Sequence, residues 1–301
     1  PKQKEILRFV KSAAEVCLKY LKEKNIPIKN FELITDSKNN SVKTQNGKYQ
    51  KIGFGGSAAI SVATIGAILE MHQEKIFENK NKIYKLATIA HFLGQGKLGS
   101  GFDIAASTYG GAIVYKKANK KWLEEEISKN TVLQIVEKDW PGFFVEALVL
   151  PKNFEFVVVF SGKSASTKEL IMKMEEFKQK EPEQYRRLIE SIKQTTQDLV
   201  FSLKKSDEQK TLELIHNNRL FLKELGEKSF SGLETRVLSK IIETIDTLGG
   251  AAKFSGAGGG DCAIGVCFSA QTKQKILKTL KEKKLNPLFV NISQSGVKKV
   301  S

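Results

Sequence analysis

A glycine-rich stretch that opens a helical pattern is the feature that most constrains the fold of this chain. Gly53, Gly55 and Gly56 fill three of four consecutive positions, and Ser57 and Ala58 follow them. One apolar face then recurs at helical spacing through Ala58, Val62, Ile65 and Leu69. Glycine backbone can approach an anion closely, and a helix N-terminus adds free N–H donors and positive potential. The stretch therefore predicts a phosphate-binding turn at the start of a helix.

Length and composition narrow the class of protein. A chain of 301 residues can form two domains, each with its own core. It has no apolar run of membrane-spanning length, we expect no signal peptide, and its three cysteines are too few for a disulfide framework. No histidine–cysteine cluster has zinc spacing. We expect a cytoplasmic protein that does not bind a membrane, with Cys262 and Cys267 in the core.

The net charge of +16 limits the possible partners. The lysines are spread along the chain, and no zinc finger, RNP-type motif or leucine-zipper basic region accompanies them. We therefore expect no nucleic acid as a partner, and the charge favours polyanionic substrates such as nucleotides and phosphate esters. A nucleic-acid module is the alternative that the charge alone supports, and salt-sensitive retention on DNA is its test.

The order of helical and strand patterns predicts an α+β fold, because the two do not alternate strictly. We expect two domains, residues 1–150 and 151–301. Helices are predicted at residues 1–24, 58–71, 79–92, 104–108, 167–180, 182–204, 207–225, 233–248 and 272–283. Strands are predicted at residues 30–36, 41–52, 112–116, 154–160, 262–268 and 287–292, the first two as strands or as a hairpin across residues 37–40. Residues 117–152 are expected to be a less regular surface excursion.

Two common phosphate motifs fail on context. Gly94-x-Gly96-x-x-Gly99 matches the dinucleotide fingerprint in letters, but a predicted helix precedes it where a strand is required. Gly162-Lys163-Ser164 matches the end of a P-loop, but Val157 stands where the earlier glycine is needed. Neither motif identifies a nucleotide site.

Three glycine motifs remain, each with a serine, lysine or aspartate. They are Gly53-Phe-Gly-Gly-Ser-Ala-Ala59, Gly96-Lys-Leu-Gly-Ser-Gly-Phe-Asp103 and Ser255-Gly-Ala-Gly-Gly-Gly-Asp-Cys262. Together they resemble the GHMP kinase superfamily. The second and third, with Asp139-Trp-Pro-Gly142 and residues 161–166, are similar to the phosphomevalonate kinase family within it. The resemblance covers roughly residues 5 to 295.

The resemblance implies a two-domain GHMP kinase fold with ATP and Mg²⁺ as cofactors, and it leaves a homodimer open. Gly53, Gly55, Gly56, Ser57 and Ala58 would bind the ATP phosphates, and Ser57 would also contact Mg²⁺. In the family a serine stands where this chain has Gly56. The family also has strands and a Gly-Lys motif upstream, so we expect the amino-terminal part to be truncated.

The resemblance also suggests the reacting residues. Asp103 would face the reacting phosphates; the alternative is an N-cap role in the helix that follows. A phosphate monoester acceptor, with a second pKa of ~6, is mostly ionised at neutral pH and needs no general base. Lysines would then matter more, because they reduce repulsion between two phosphates. Lys97 is expected to be catalytic and substrate-binding. The other acceptor contacts are expected to be Ser100, Lys163, Ser164 and Ser166.

The third motif would shape the phosphate pocket through Gly256, Gly258, Gly259, Gly260 and Asp261. Asp261 has an alternative role, which is to cap the turn before the strand at Cys262. The implied activity is ATP-dependent phosphorylation of phosphomevalonate. The alternatives are another small-molecule kinase of the superfamily, such as mevalonate kinase, and a non-catalytic member, which the glycine at position 56 and the expected truncation motivate.

Overall fold

The computed structural model describes residues 2–36, 41–43, 49–51, 53–74, 79–96, 99–164 and 167–300. The chain divides into two compact units. One comprises residues 1–38, 54–148 and 292–301, and the other comprises residues 39–53 and 149–291. Both contain helices and strands, which confirms the predicted α+β class. The boundary between residues 150 and 151 stays a prediction.

Three helices form the core of the first unit. They are α1 (Lys2–Glu23), α2 (Gly56–Met71) and α3 (Lys80–Gln95). The predicted face of α2 is confirmed, because Ala58, Val62, Ile65 and Leu69 are all buried. Helix α3 is buried on nearly every side, from Ile83 to Ala90. The packing of these helices therefore fixes the start of α2, where the predicted phosphate-binding turn lies.

The rest of the first unit follows α3 in sequence. Its elements are α4 (Phe102–Tyr109), β3 (Ala112–Lys116), α5 (Lys120–Lys129), α6 (Val132–Glu137) and β4 (Phe144–Leu148). Strands β3 and β4 pair antiparallel, with Ala112 opposite Leu148. The predicted surface excursion at residues 117–152 is therefore wrong. Its apolar residues complete the core, including Leu123, Ile135 and Trp140.

The strand predicted at residues 30–36 is also wrong, whereas the one predicted at residues 41–52 is confirmed in part; residues 37–40, 44–48 and 52 lie outside the described residues. The antiparallel pair is β1 (Ser41–Lys43) with β2 (Tyr49–Lys51). Residues 30–36 form no strand. Phe31, one of their alternating apolar residues, packs against the hydrophobic core of the first unit from an irregular segment.

A sheet and a helical layer form the second unit. Strands β5 (Glu155–Phe160), β6 (Ala251–Phe254), β7 (Cys262–Cys267) and β8 (Asn286–Leu288) join antiparallel in the order β6-β7-β5-β8. Cys262 and Cys267 are buried, as predicted. Burial, with a smaller contribution from the Asp261 charge, raises the pKa of the Cys262 thiol to about 12, so this thiol stays protonated.

The helices of the second unit pack on this sheet. They are α7 (Thr167–Lys180), α8 (Pro182–Lys205), α9 (Glu208–Lys228), α10 (Arg236–Asp246) and α11 (Ala270–Glu282). Leu238, Ile241 and Ile245 of α10 are fully buried in a core shared with Val159 and Phe254. Across the described residues, none of the helices is both long enough and apolar enough to cross a membrane.

Candidate active site

The start of α2 is built as an anion-binding turn. Gly55 is the N-cap residue, with a left-handed φ of 69° that glycine adopts without strain. The helix begins at Gly56, and the carbonyl of Gly55 accepts a hydrogen bond from Ala59 N at 3.0 Å. Glycine has no side chain to cap the helix, so the first N–H groups are open to a ligand. Ser57, in the first turn, is half-buried.

Asp103 lies directly against this turn. A Cβ built on Gly55 would come within 2.9 Å of Asp103 Cβ, so only glycine permits the approach. Asp103 is in the first turn of α4, and its Oδ1 accepts a hydrogen bond from Ile104 N at 3.0 Å. The N-cap of α4 is Gly101, with φ 73°, so the alternative role of Asp103 as the N-cap residue is wrong.

An aromatic cluster holds the turn before Asp103. Tyr115 Oη donates to the carbonyl of Ser100 at 2.9 Å and lies 2.9 Å from Tyr84 Oη. Burial raises the pKa of both tyrosines, and their mutual contact adds to the shift at Tyr115. Phe143 stacks on Tyr84, with ring centroids 4.6 Å apart. Both phenols are therefore neutral, and Tyr115 fixes the main chain at Ser100, while Ser100 itself stays exposed.

His91 is a residue that the sequence analysis missed. Its Nε2 lies 3.2 Å from Ser57 Oγ, and its ring stacks on Phe9 at 4.7 Å between centroids. Burial lowers the pKa of His91, and the nearby Asp103 carboxylate opposes that shift. From the sequence, His91 is one more position on the inner face of α3. Only the fold shows that it faces Ser57.

In the second unit, two predicted loops meet. Asp261 N donates to the carbonyl of Lys163, and Ser161 N donates to the carbonyl of Asp261, both at 2.8 Å. Ser161 Oγ also donates to the carbonyl of Lys163 at 3.1 Å, while the side chains of Lys163 and Ser164 are exposed. These bonds fix the Ser161–Ser164 loop on the third glycine motif and leave its polar groups accessible.

The third motif depends on a left-handed backbone. Gly256, Gly258 and Gly259 have φ values of 65°, 73° and 73°, and Asp261 is also left-handed, with φ 52°. A Cβ on Gly258 would lie 2.5 Å from the Leu233 carbonyl, so a side chain does not fit there. Gly260 lies between Gly259 and Asp261 in the same turn. Asp261 does more than cap the turn before β7, since its backbone pairs with the Ser161–Ser164 loop.

Gly53 also lies against the third motif. A Cβ there would be 2.9 Å from Asp261 Oδ1, so the Asp261 side chain packs on the Gly53 backbone. Gly53 is exposed, whereas Gly56 and Ser57 are half-buried and Ala58 is buried. Lys97 and Ser166 were also predicted as site residues; both lie outside the described residues.

The oxygen donors of the first unit fit a magnesium ion. Mg²⁺ prefers hard oxygen ligands and keeps several waters, so it needs only one or two protein groups beside nucleotide phosphates. Ser57 Oγ, in the first turn of α2, and the carboxylate of Asp103, which packs against Gly55, are ligands of this kind. Over the described part of the chain, no group of three or more histidine, cysteine or acidic side chains forms a complete metal cage.

Comparison with known proteins identifies the family of this chain. The profile for the GHMP kinases N terminal domain matches residues 8–111, and the profile for the GHMP kinases C terminal domain matches residues 202–286. A phosphomevalonate kinase from Streptomyces sp. (strain CL190) is 31% identical over 215 residues, 71% of this chain and 57% of that protein. A mevalonate kinase from Pyrococcus furiosus is 27% identical over 303 residues, 99% of this chain and 76% of that protein.

Solved structures show the same fold. The Lin0012 protein from Listeria innocua superposes with a TM-score of 0.82 at 28% identity, covering 94% of this chain and 77% of that one. Streptococcus pneumoniae phosphomevalonate kinase, in complex with phosphomevalonate and AMPPNP, superposes at 0.76 with 20% identity, covering 93% and 79%. The chain spans only 57%, 64%, 55% and 50% of four curated relatives. Both family profiles and the two-unit fold establish that this chain belongs to the GHMP kinase family.

Proposed function

We propose that this protein is an ATP-dependent kinase that phosphorylates (R)-5-phosphomevalonate to 5-diphosphomevalonate, a step in the mevalonate route to isoprenoids. The observation that supports it most is the contact between Gly55 and Asp103, with 2.9 Å between a Cβ built on Gly55 and Asp103 Cβ. It brings a carboxylate to a helix start suited to phosphate. Phosphoryl transfer needs this combination of positioning and charge.

The donor side of the proposed site is the start of α2. The backbone of Gly53, Gly55, Gly56, Ser57 and Ala58 would bind the ATP phosphates, because the turn offers free N–H groups and the positive end of the helix. Ser57 Oγ and the Asp103 carboxylate would hold Mg²⁺. When bound, that ion neutralises charge on the phosphates.

The acceptor side follows from the chemistry of a phosphate monoester. Its second pKa of ~6 leaves it largely ionised at neutral pH, so Asp103 need not remove a proton. The barrier is then repulsion between two anions, which lysines reduce. We assign this role to Lys97 and Lys163, with Ser100, Ser164 and Ser166 as further contacts. Asp103 would orient a lysine or the cation.

The third glycine motif would support the acceptor loop. Its backbone bonds to Ser161 and Lys163 fix the Ser161–Ser164 loop, and Gly256, Gly258, Gly259 and Gly260 let the main chain turn closely. Asp261 would set the position of both this loop and Gly53. This assignment predicts that changes in the motif affect the acceptor KM.

The relatives support a kinase of the mevalonate route and leave two acceptors to compare. Relatives named phosphomevalonate kinase and relatives named mevalonate kinase both match. A coupled assay of ADP release, with (R)-5-phosphomevalonate or (R)-mevalonate as acceptor, separates them. We expect kcat/KM to favour phosphomevalonate by about tenfold or more, equivalent to about 1.4 kcal/mol of transition-state discrimination. The reverse preference would identify a mevalonate kinase, and ATP binding without turnover would identify a non-catalytic member.

Lys97 offers a second test of the acceptor assignment. If its ammonium group offsets repulsion between the phosphates, Lys97→Ala lowers turnover far more than ATP affinity. Initial rates over a matrix of ATP and phosphomevalonate concentrations separate the two effects. Unchanged turnover in the variant would remove Lys97 from the proposed site.

A further inference from the structure

A buried histidine contacts the serine of the predicted phosphate-binding turn. His91 is 8% exposed, and its Nε2 lies 3.2 Å from Ser57 Oγ. The Phe9 ring stacks on the imidazole with an interplanar angle of 21°, and the guanidinium of Arg8 lies 5.1 Å from the centre of the Phe9 ring. The stacking fixes the plane of the imidazole, and its Nε2 faces Ser57.

The orientation of the Ser57 hydroxyl matters for its proposed role. A hydroxyl carries one proton and two lone pairs, and a cation or its waters require a lone pair. A neutral imidazole has one N–H donor and one acceptor nitrogen. If the acceptor nitrogen is Nε2, it takes the serine proton and directs the serine lone pairs elsewhere. If Nε2 is the donor, one of those lone pairs is occupied by His91.

We propose that His91 is a positioning residue whose Nε2 accepts the Ser57 hydroxyl proton and turns the serine lone pairs toward the cation on the ATP phosphates. This inference rests on the proposed kinase function. His91 acts through Ser57, and the carboxylate that completes the oxygen donor set is Asp103. Phe9 stacks on the imidazole, and the guanidinium of Arg8 lies over the Phe9 ring.

A second buried histidine of the same unit shows what a structural histidine looks like. Lys29 N donates to His72 Nε2 at 3.1 Å, so His72 Nδ1 carries the proton and donates to the Ile68 carbonyl at 2.7 Å. Both ring nitrogens of His72 therefore serve the backbone. His91 differs because its contact is the side chain of Ser57, in the predicted site. His72 also provides an internal reference for the tautomer that we expect at His91.

The first test reads the tautomer without any enzymatic assay. Two-bond ¹H–¹⁵N correlation spectra of the whole chain distinguish Nδ1–H from Nε2–H imidazoles. We expect His91 to show the Nδ1–H pattern of His72, and Ser57→Ala to shift the His91 Nε2 resonance while leaving His72 unchanged. An Nε2–H pattern at His91, or no shift in Ser57→Ala, overturns the proposal.

The second test measures binding of AMPPNP with and without Mg²⁺ by calorimetry. His91→Phe keeps the stacking on Phe9 but removes the acceptor nitrogen, and His91→Gln places an amide oxygen near the same point. Loss of a group that orients a metal ligand costs about 10- to 100-fold in metal affinity. We therefore expect His91→Phe to weaken Mg²⁺-dependent AMPPNP binding about tenfold or more, and His91→Gln to recover most of that loss.

His72→Phe is the matched control, because it removes a buried imidazole from the same unit. We expect it to lower the melting temperature without changing Mg²⁺-dependent binding. An equal loss of Mg²⁺-dependent binding in His91→Phe and His72→Phe would mean that His91 is only structural. If the wild-type chain binds Mg²⁺·AMPPNP but phosphorylates neither acceptor, the proposed function fails, while the tautomer and binding results still decide the role of His91.

Discussion

The two units of the chain use their buried polar side chains differently. In the first unit, His91 reaches the Ser57 hydroxyl, and Tyr115 donates to the main chain at Ser100. In the second unit, Arg219 is 5% exposed and forms ion pairs with Glu234 at 2.8 Å and Asp246 at 3.2 Å. His91 and Tyr115 thus contact predicted site residues, whereas Arg219 connects helices and a loop of the second unit.

We expect the Arg219 network to contribute mainly to stability, and the contacts of His91 and Tyr115 mainly to activity. Asp246 Oδ1 also accepts from Ala252 N at 3.0 Å, so the Arg219 network connects α9, α10 and β6. The glycine motif of the same unit is held mainly by main-chain bonds, such as Asp261 N to the Lys163 carbonyl. We therefore expect side-chain changes at the Arg219 network to destabilise the protein, and changes at the first unit's contacts to reduce turnover.

The largest expected effect is the loss of Arg219. The variant Arg219→Met leaves Glu234, whose side chain is 1% exposed, without its bidentate partner. Breaking a buried ion pair costs about 3–5 kcal/mol, so the urea midpoint should fall steeply. We expect kcat, corrected for the folded fraction, to stay near the wild-type value.

Arg187 provides the control for Arg219. It also pairs with a glutamate across two helices of the same unit, but its side chain is 64% exposed and that of Glu224 is 35% exposed. Such pairs contribute less than about 1 kcal/mol, so Arg187→Met should hardly move the urea midpoint. Similar midpoints in the two variants would contradict the assignment of the Arg219 network to stability.

The next effect concerns the contact between Gly55 and Asp103. Gly55→Ala forces a side chain into the left-handed region, at about 1–2 kcal/mol, and pushes on Asp103 Cβ. Since misplacement of a reacting group by about 1 Å can cost 100-fold, we expect kcat to fall at least tenfold. Initial rates of ADP release and urea unfolding measure the two effects separately.

Gly249→Ala isolates the backbone strain. Gly249 has φ 88°, and a Cβ built there meets no atom within 4 Å. This variant should lose similar stability but keep its turnover. If both variants lost the same fraction of kcat, the approach of Asp103 to the helix start would not matter for turnover.

The sequence predicted helix α2 well because its signal is local. Periodicity at Ala58, Val62, Ile65 and Leu69 found the buried face, and the glycines before it indicated the turn. The short helix α6 was missed, although Thr131 and Gln134 form a capping box that was readable in the sequence. With only six residues, α6 is too short for periodicity to identify.

The support of the site was less predictable, because it depends on contacts between residues far apart in sequence. A histidine on the inner face of α3 fits an ordinary core position, and only the packing of α2 against α3 places His91 beside Ser57. Tyr115 likewise follows an alternating strand pattern, yet it bonds to Ser100 because β3 passes that turn. Local sequence patterns were enough to identify the glycine motifs. The side chains that hold these motifs in place could be identified only from the fold.

A smaller effect is expected at Tyr115. Tyr115→Phe keeps the ring but removes the donor to the Ser100 carbonyl and the contact with Tyr84 Oη. A lost hydrogen bond of this kind costs about 1 kcal/mol, and the freed turn should raise the acceptor KM more than the ATP KM. Tyr109→Phe is the control, since its hydroxyl makes only a 3.4 Å bond to Asn81 Oδ1. Equal KM changes for both substrates would argue against a role for Tyr115 in holding the acceptor side.

The smallest effect is expected at an ion cluster in the first unit, formed by Glu74, Lys24 and Lys82. It measures how much an ion cluster outside the predicted site contributes to the stability of this unit. Glu74 accepts hydrogen bonds from Lys24 at 2.9 Å and Lys82 at 3.2 Å. Burial opposes ionisation of Glu74, but the two lysines outweigh it and lower its pKa below the ordinary 4.5. We expect Glu74→Gln to cost about 0.5–1 kcal/mol at neutral pH.

The stability difference between wild type and Glu74→Gln should depend on pH. Because the folded pKa of Glu74 is lowered, its contribution to stability is present above the ordinary value of 4.5 and is lost as the pH falls through the folded value. The unfolding free energies of wild type and Glu74→Gln should therefore converge in acid. Glu15→Gln is the control, because Glu15 is 65% exposed and 3.8 Å from Lys11, and it should change little at any pH. A difference between wild type and Glu74→Gln that stayed constant into strong acid would mean that packing, and not charge, accounts for the contribution of Glu74.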